Sequence, residues 1–515
     1  MALFEITLLL LTIAVVFLQM ARRLRVPYPS LLALAGGCVA ILPFAPHLSI
    51  EPRLALALFV APAVMDTAFD MPPRELLRMW VPLVSLAVVL VLLTTAAVAW
   101  AGVALEGLPI AAAIVLGAIV APPDAAAAAA LLSEFNLPRR TMAVLQGESL
   151  LNDAVALLAF GLALTAVVST GTQWHSLAPR LLIAVPGAAA LGIVSALLSI
   201  RIFPRVAGTL SLIIVQFLFT YGTWIVAERL QLSPIVAVVA LAGVIAWYVP
   251  GRTSARDRVY TNAVWEMVVF VLNVLAFLLM GLQARVILNQ LHGAELTHAL
   301  IFSGIVLGIV IVVRFAYVML YGLVLRTFRA FFEARILHGK VPNARIGVLV
   351  SWCGMRGLVT LATALALPQE FPERNVIVLS AFIVVLGTLI LQGFTMRPLI
   401  ALLRIAPDSS LDEDVARARD AMLGAALAEL AAISGESAAA VRAEYSAARA
   451  GSVDRWQPDT EFNRMRVQAI AAERRLLLEW RRGGRVADDA YHLLEAELDR
   501  AELQAASAAA AGQKD

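Results

Sequence analysis

The sequence is poor in the residues that soluble proteins use most. Charged residues fill 15% of its 515 positions, against about 25% in an average soluble domain. There are only two cysteines, too few for a fold built on disulfides. Lysine is nearly absent, and the net charge is only +3. These scarcities argue against a water-soluble domain, a disulfide scaffold and a nucleic-acid-binding protein.

Hydrophobic residues take their place, at 61% of the chain. A helix that spans a bilayer needs about 20 mostly apolar residues, and the backbone in lipid must satisfy its own hydrogen bonds. The sequence therefore predicts an all-α polytopic membrane protein with about thirteen spans. We place them at 3–20, 29–46, 52–69, 79–101, 109–132, 142–168, 180–200, 209–228, 233–249, 262–282, 298–325, 345–367 and 374–403.

The composition changes near residue 405, where charged, alanine-rich segments begin. We predict a transmembrane domain over 1–405 and a helical cytoplasmic tail over 406–515. Arginines are concentrated in alternate loops, and such loops face the cytoplasm. The basic set comprises Arg22, Arg23, Arg25, Arg74, Arg78, Arg139, Arg140, Arg201, Arg205, Arg252, Arg256, Arg258, Arg326, Arg329, Arg335, Lys340 and Arg345. This sidedness predicts an N-terminus outside the cytoplasm.

Ionisable residues inside the spans are few. Each costs at least about 2.5–3.5 kcal/mol on insertion scales, so each needs a structural or functional reason. Acids outnumber bases among them, which favours a cation or proton site over an anion site. The set is Asp66, Asp124, Glu148, Asp153, Glu228, Glu266, Arg314 and Arg356.

The densest polar segment is 146–155. Ser149, Asn152 and Asp153 stand at i, i+3 and i+4, so they share one helix face. That face, with an acid, an amide and a hydroxyl, is typical of a site for a hard cation. Glu148 points elsewhere and needs a partner, because a buried unpaired charge is strongly unfavourable. We predict that it pairs with Arg356.

Two spans are interrupted at matching places. The span over 109–132 contains Ala-Pro-Pro-Asp at 121–124, and proline breaks a helix. The span over 345–367 contains Cys-Gly-Met-Arg-Gly at 353–357. Paired broken helices indicate an inverted-repeat transporter with its site at the midplane. We expect Asp124 to offset the positive helix ends there and Arg356 the negative ones.

Several motifs then resemble those of sodium/proton antiporters in the NhaP/NHE branch of the cation:proton antiporters. Residues 147–153 read GESLLND, and residues 117–124 (GAIVAPPD) are similar to the family segment GAIVSPTD. Residues 352–357 (WCGMRG) resemble WGGLRG. Trp265, Glu266 and Asn273, with residues 279–283, resemble a further family helix. The resemblance covers about residues 1–405, and the tail resembles that of bacterial members.

The resemblance implies an antiporter fold with two unwound crossing helices, a homodimer and one shared cation/proton site. It assigns ion and proton binding to Asp153, with Asn152 as its amide partner. It adds Asp124, Ser149, Asp66 and the carbonyl of Pro123 to the site, with Na⁺ held by Asp153, Asp124 and Ser149. It gives Glu148 and Arg356 the role of a buried structural pair. The Asn-Asp pair resembles the electroneutral branch.

The expected function is therefore electroneutral exchange of Na⁺ or Li⁺ for H⁺ across a bacterial inner membrane, for pH and sodium homeostasis. No cofactor and no enzymatic activity are expected, and lipid, a second copy and a monovalent cation are the expected partners. Compared with the motifs of the family that it resembles, the sequence has Pro123 in place of a threonine, Cys353 in place of a glycine and Asp66 in place of a glutamate. These departures leave ion selectivity open. A K⁺/H⁺ antiporter and a membrane sensor that signals through its tail remain the alternatives.

Overall fold

The computed structural model describes most of the chain. The described residues are 2–24, 26–41, 51–71, 79–124, 137–168, 177–248, 254–288, 292–327, 343–405, 410–450, 461–482, 494, 497–498 and 500–501. Parts of the predicted spans 29–46 and 109–132 lie outside these ranges, as do Arg25, Arg74, Arg78, Arg252, Arg329, Arg335 and Lys340. The chain divides into two compact units, Met1–Pro407 and Asp408–Asp515.

The first unit consists of apolar helices. They are α1 (Ala2–Leu24), α2 (Tyr28–Ile41), α3 (Pro52–Ala55, Leu56–Val60 and Ala61–Asp70), α4 (Trp80–Glu106), α5 (Ile110–Val120), α6 (Arg139–Val168), α7 (Leu177–Val206), α8 (Ser211–Arg229), α9 (Pro234–Tyr248), α10 (Ala255–Leu282), α11 (Ala284–Leu288), α12 (Gly293–Thr327), α13 (Ala344–Trp352), α14 (Leu358–Leu365) and α15 (Arg374–Leu403).

The apolar character of these helices fits a bilayer. Seven of the described helices are long and apolar enough to cross a membrane, and three further apolar helices are shorter. The predicted fold class, an all-α polytopic membrane protein, is confirmed. Each predicted span coincides at least in part with a described helix, while the number of crossings stays a prediction.

Both predicted helix breaks are present. Helix α5 ends at Val120, before two prolines that have no N–H to continue it. Helices α13 and α14 are separated by residues 353–357. The two breaks meet, because the backbone N–H of Asp124 donates to the carbonyl of Met355 at 2.7 Å. The sequence thus places two unwound segments against each other in the interior.

Helices α2 and α10 cross with their backbones in contact. A Cβ atom at Gly281 would meet the carbonyl oxygen of Ala33 and lie 2.6 Å from the backbone nitrogen of Gly37 and 2.8 Å from the Cα of Gly36. Small residues allow such close helix packing in membranes, where dispersion contacts replace the hydrophobic effect. The crossing fixes α10, which supplies part of one wall of the site.

The second unit contains α16 (Ser410–Ala431), α17 (Glu436–Arg449) and α18 (Glu461–Arg482). Arg442 donates to the carbonyls of Leu430 and Ile433 at 3.1 Å, near the C-terminus of α16. The Nε atom of Arg449 donates to Oδ1 of Asp420 at 2.8 Å, which joins α17 to α16. The hydrogen bond and the positive charge lower the pKa of the exposed Asp420 carboxyl.

Candidate ion-binding site

A cavity of about 60 Å³ lies beside the crossing of the two broken helices. One wall, here called the polar wall, contains Asp124, Ser149 and Asp153 beside the apolar residues Leu150, Leu358 and Val359. A second wall comes from α3 and α10 and is mostly apolar. Its residues are Phe59, Val60, Ala63, Val64, Thr67, Asn273, Ala276 and Phe277. The charged side chains among the described lining residues therefore all belong to the polar wall.

Helix α6 places its acid where the sequence predicts. Asp153 is buried, with 8% of its surface exposed, and Ser149, one helical turn earlier, is half-buried. The i, i+4 spacing puts both side chains on one face. The structure brings these two residues and Asp124 to one cavity. Carboxylate and hydroxyl oxygens are the donors that hard cations prefer.

Asn152 joins α6 to the first helix break. Its Nδ2 donates to the carbonyl of Pro123 at 3.0 Å. Its Oδ1 is buried and has no hydrogen-bond partner among the described residues. Buried polar atoms are rarely left without a partner, so this oxygen is suited to a further donor or a cation. The proline keeps the carbonyl that Asn152 needs, although it lacks the hydroxyl of the usual threonine.

Asp66 lies in α3 and is half-buried. It is not among the residues that line the cavity, whereas its neighbour Thr67 is. The hydroxyl of Thr67 donates to the carbonyl of Ala63 one turn back, at 2.9 Å. A π-helical turn over Leu56–Val60 precedes both residues. Such a turn contains about one residue more than an α-helical turn. The side chains that follow it therefore point in directions that a regular α-helix would give to their neighbours.

The prediction that Glu148 pairs with Arg356 is wrong. Glu148 pairs with Arg314 of α12 through both carboxylate oxygens, and Nη2 to Oε2 measures 3.0 Å. Both side chains are 2% exposed. Nε and Nη2 of Arg314 also donate to the carbonyl of Val350, at 3.3 and 3.0 Å. Arg314 therefore neutralises Glu148 and satisfies a carbonyl in the last turn of α13, which has lost its helical partner.

The side chain of Arg356 instead donates hydrogen bonds to backbone carbonyls. Its Nε donates to Val120 at 2.9 Å and its Nη2 to Ala121 at 3.0 Å, and Nη1 donates to Gly354. Its backbone N–H donates to Oγ1 of Thr388 at 2.9 Å. The arginine thus offsets the negative C-terminal end of α5, in agreement with the expectation from the sequence.

Asp124 lies at the N-terminal end of α14. A Cβ atom at Gly357 would overlap the Asp124 carboxylate, so the carboxylate lies against the residue that precedes α14. The N-terminus of a helix carries a partial positive charge, which favours an anion there. Among the described helix ends at the crossing, the C-terminal ends of α5 and α13 therefore face arginines, and the N-terminal end of α14 faces an aspartate.

Three residues of the site were not assigned from the sequence. Thr67 and Asn273 line the cavity, and Arg314 holds Glu148. Asn273 belongs to a motif that resembles the family, and Arg314 is one of the few charges inside a span, so both gave a usable signal. Thr67 gave none. Among the described residues, no group of three or more His, Cys, Asp or Glu side chains could hold a metal ion.

Comparison with known proteins places this site in a family context. The chain is 29% identical over 530 residues to an uncharacterised Na(+)/H(+) exchanger of Mycobacterium tuberculosis, with 96% of this chain and 95% of the relative covered. It is 27% identical over 535 residues to a sodium, potassium, lithium and rubidium/H(+) antiporter of Bacillus subtilis, with 98% and 78% covered.

A solved structure has the same fold. The sodium proton antiporter MjNhaP1 from Methanocaldococcus jannaschii matches with a TM-score of 0.57 and 19% identity, over 78% of this chain and 100% of that one. Residues 8–402 match the family described as sodium/hydrogen exchanger, transmembrane. The charged crossing and its cavity lie within that matched region, and the chain belongs to the sodium/hydrogen exchanger family.

Proposed function

We propose that the protein is an electroneutral antiporter that exchanges one Na⁺ for one H⁺ across a bacterial inner membrane. One observation carries the proposal. Asp153, Asp124 and Ser149 converge on one small cavity at the crossing of two broken helices. Secondary active transport, rather than an enzymatic reaction, is the activity that this arrangement suits.

Competition for one carboxylate couples the two ions. Asp153 binds either a proton or a cation, and each loaded form is neutralised to a similar extent. An empty, negatively charged site is costly to carry through the membrane interior. Only the loaded forms then change sides, so cation and proton move in opposite directions. Asn152 adds an amide without adding a charge, which is consistent with an electroneutral cycle.

The cation has a defined set of candidate ligands. The carboxylates of Asp153 and Asp124 and the hydroxyl of Ser149 line the cavity, and Oδ1 of Asn152 is a buried oxygen nearby in sequence. Asp124 also faces the N-terminus of α14, so its charge is partly balanced when the cation leaves. We assign Na⁺ binding to the two aspartates and Ser149.

The two walls of the cavity suggest how the site changes sides. The wall formed by α3 and α10 contributes no ionisable lining residue among those described. The polar wall belongs to α6 and to the broken helices, which are tied together by Arg356 and by the bond from Asp124 to Met355. If the polar wall moves as one unit along the mostly apolar wall, few hydrogen bonds have to break.

The membrane topology and assembly also belong to the proposal. Arginine sidedness supports an N-terminus on the periplasmic side and a cytoplasmic tail over 406–515, next to a transmembrane domain over 1–405. The resemblance to the NhaP/NHE branch supports a homodimer. Sodium and pH homeostasis is the role that such exchange would serve.

A potassium/proton antiporter is the second candidate. The Bacillus subtilis relative is named for sodium, potassium, lithium and rubidium, and oxygen ligands alone do not separate these ions. A sensor that signals through its tail is less well supported, because a sensor does not need a carboxylate exposed to a cavity.

The test is proton flux in vesicles that contain the purified full chain, with Na⁺, Li⁺ and K⁺ added in turn. Asp153→Asn should abolish exchange with every cation and leave the protein folded. Asp420→Asn in the second unit is the matched control and should exchange normally. Cation-dependent proton flux that survives Asp153→Asn would refute the assignment of Asp153.

A further inference from the structure

A second, larger cavity lies at the ends of four helices. Its volume is about 270 Å³, just under the range of roughly 300–1,000 Å³ that is usual for small-molecule sites. It is lined by the first turns of α4 and α6, by α13 along most of its length and by the last turns of α12. Most of its surface is apolar, with Leu86, Val144 and Val318 among the lining residues.

One end of this cavity is basic. Arg140 of α6 and Arg326 of α12 both line it, and none of the described lining residues is acidic. Thr141 and Asn343 lie at the N-terminal ends of α6 and α13, where the partial positive charge of a helix end favours an anion. The hydroxyl of Tyr321 is buried in the same wall, with no hydrogen-bond partner among the described residues.

We propose that this cavity binds an anionic phospholipid, with its phosphate at Arg140 and Arg326 and part of an acyl chain against the apolar wall. Both arginines belong to the loop set that the sequence places on the cytoplasmic side, where anionic lipids attract basic residues. Arg326 is exposed, so the basic end reaches the surface. A free inorganic anion would not use the apolar wall, which makes up most of the cavity.

The lipid would touch the part of the molecule that holds the buried pair. Val350 lines the cavity, and its carbonyl accepts two hydrogen bonds from Arg314. A chain lodged between α12 and α13 therefore adjoins the Arg314–Glu148 pair, which connects both helices to α6. The bound lipid would therefore contact α13 beside this pair, and its binding does not depend on which ion is transported.

Lipid retention measures the proposal directly. The purified full chain, taken from vesicles of phosphatidylcholine and phosphatidylglycerol, is examined by native mass spectrometry. Wild type should retain phosphatidylglycerol in preference to phosphatidylcholine. Arg140→Gln with Arg326→Gln should weaken retention roughly 25-fold, since each basic residue near an anionic lipid contributes about fivefold.

Two further variants separate the site from general charge. Gly322→Leu places a side chain in the cavity and keeps both arginines. A Cβ atom fits there, because among the described residues the one atom within 4 Å is Nη2 of Arg326, at 3.9 Å. It should also lose the lipid. Arg201→Gln with Arg205→Gln removes the same charge from another loop of the basic set and should retain it.

Three results would overturn the proposal. They are retention in the Gly322→Leu variant at the wild-type level, equal retention of the two lipids by wild type, and displacement of the lipid by inorganic phosphate alone. A transport assay in the same vesicles is a separate readout. Loss of exchange in all lipids would count against the proposed antiport and would leave lipid retention as an independent result.

Discussion

The partner of Glu148 can be tested by a double-mutant cycle. Glu148→Gln leaves the Arg314 guanidinium buried at 2% exposure without its counter-ion. Removing one member of a buried pair costs roughly 3–5 kcal/mol. Arg314→Met should cost at least as much, since the carbonyl of Val350 also loses its two bonds from Arg314. Both single variants should therefore unfold more readily than wild type.

The double variant decides between the arginines. Glu148→Gln with Arg314→Met leaves no unpaired charge, so it should cost less than the sum of its single changes by about 0.5–3 kcal/mol. Glu148→Gln with Arg356→Met should be closer to additive, because Arg356 donates its side-chain bonds to backbone carbonyls. Unfolding of the solubilised protein by titration with SDS gives the free energies. A larger coupling with Arg356 than with Arg314 would refute the pairing described here.

Three other predictions concern close contacts and charge. Gly357→Ala should push the Asp124 carboxylate away from the start of α14 and weaken the apparent cation affinity in the flux assay, with unchanged affinity as the contrary result. Gly281→Ala should destabilise the fold by about 1–3 kcal/mol through backbone overlap, whereas Gly243→Ala, which meets nothing within 4 Å, should not, as thermal unfolding will show. The ion pair of Asp420 lowers its pKa. Its stabilising contribution is therefore present above the usual pKa of an aspartate and is lost as the pH falls through the lowered value. Because both side chains are exposed, the contribution is small, so thermal unfolding should show Asp420→Asn slightly less stable than wild type at neutral pH and equally stable in acid.

Much of the architecture was accessible from the sequence for simple reasons. Long apolar runs require helices in lipid, and prolines at 122 and 123 must interrupt one of them. Glycines at 354 and 357 mark the second break, and the structure brings the two breaks together. The common face of Ser149 and Asp153 followed from helical spacing alone, and both residues line the cavity.

The errors and omissions arose where tertiary placement decides. Arg314 and Arg356 are both buried charges, and nothing local tells which one approaches Glu148. Arg356 lies in the non-helical segment 353–357, so helical periodicity gives no direction for its side chain. The π-helical turn in α3 is likewise invisible in the hydrophobic pattern. It precedes Asp66 and Thr67, and Thr67 rather than the predicted Asp66 lines the cavity.

The unequal walls of the small cavity have a consequence for how such a transporter can diverge. Candidate ion ligands lie on the polar wall, whereas Val60 and Val64 of α3 offer only bulk to the other side. Apolar substitutions at these two valines would change the height of the barrier without altering ligand chemistry. In the proposed mechanism, the rate of turnover and the charged ligands then depend largely on separate helices, and each can be altered, by evolution or by engineering, while the other is kept.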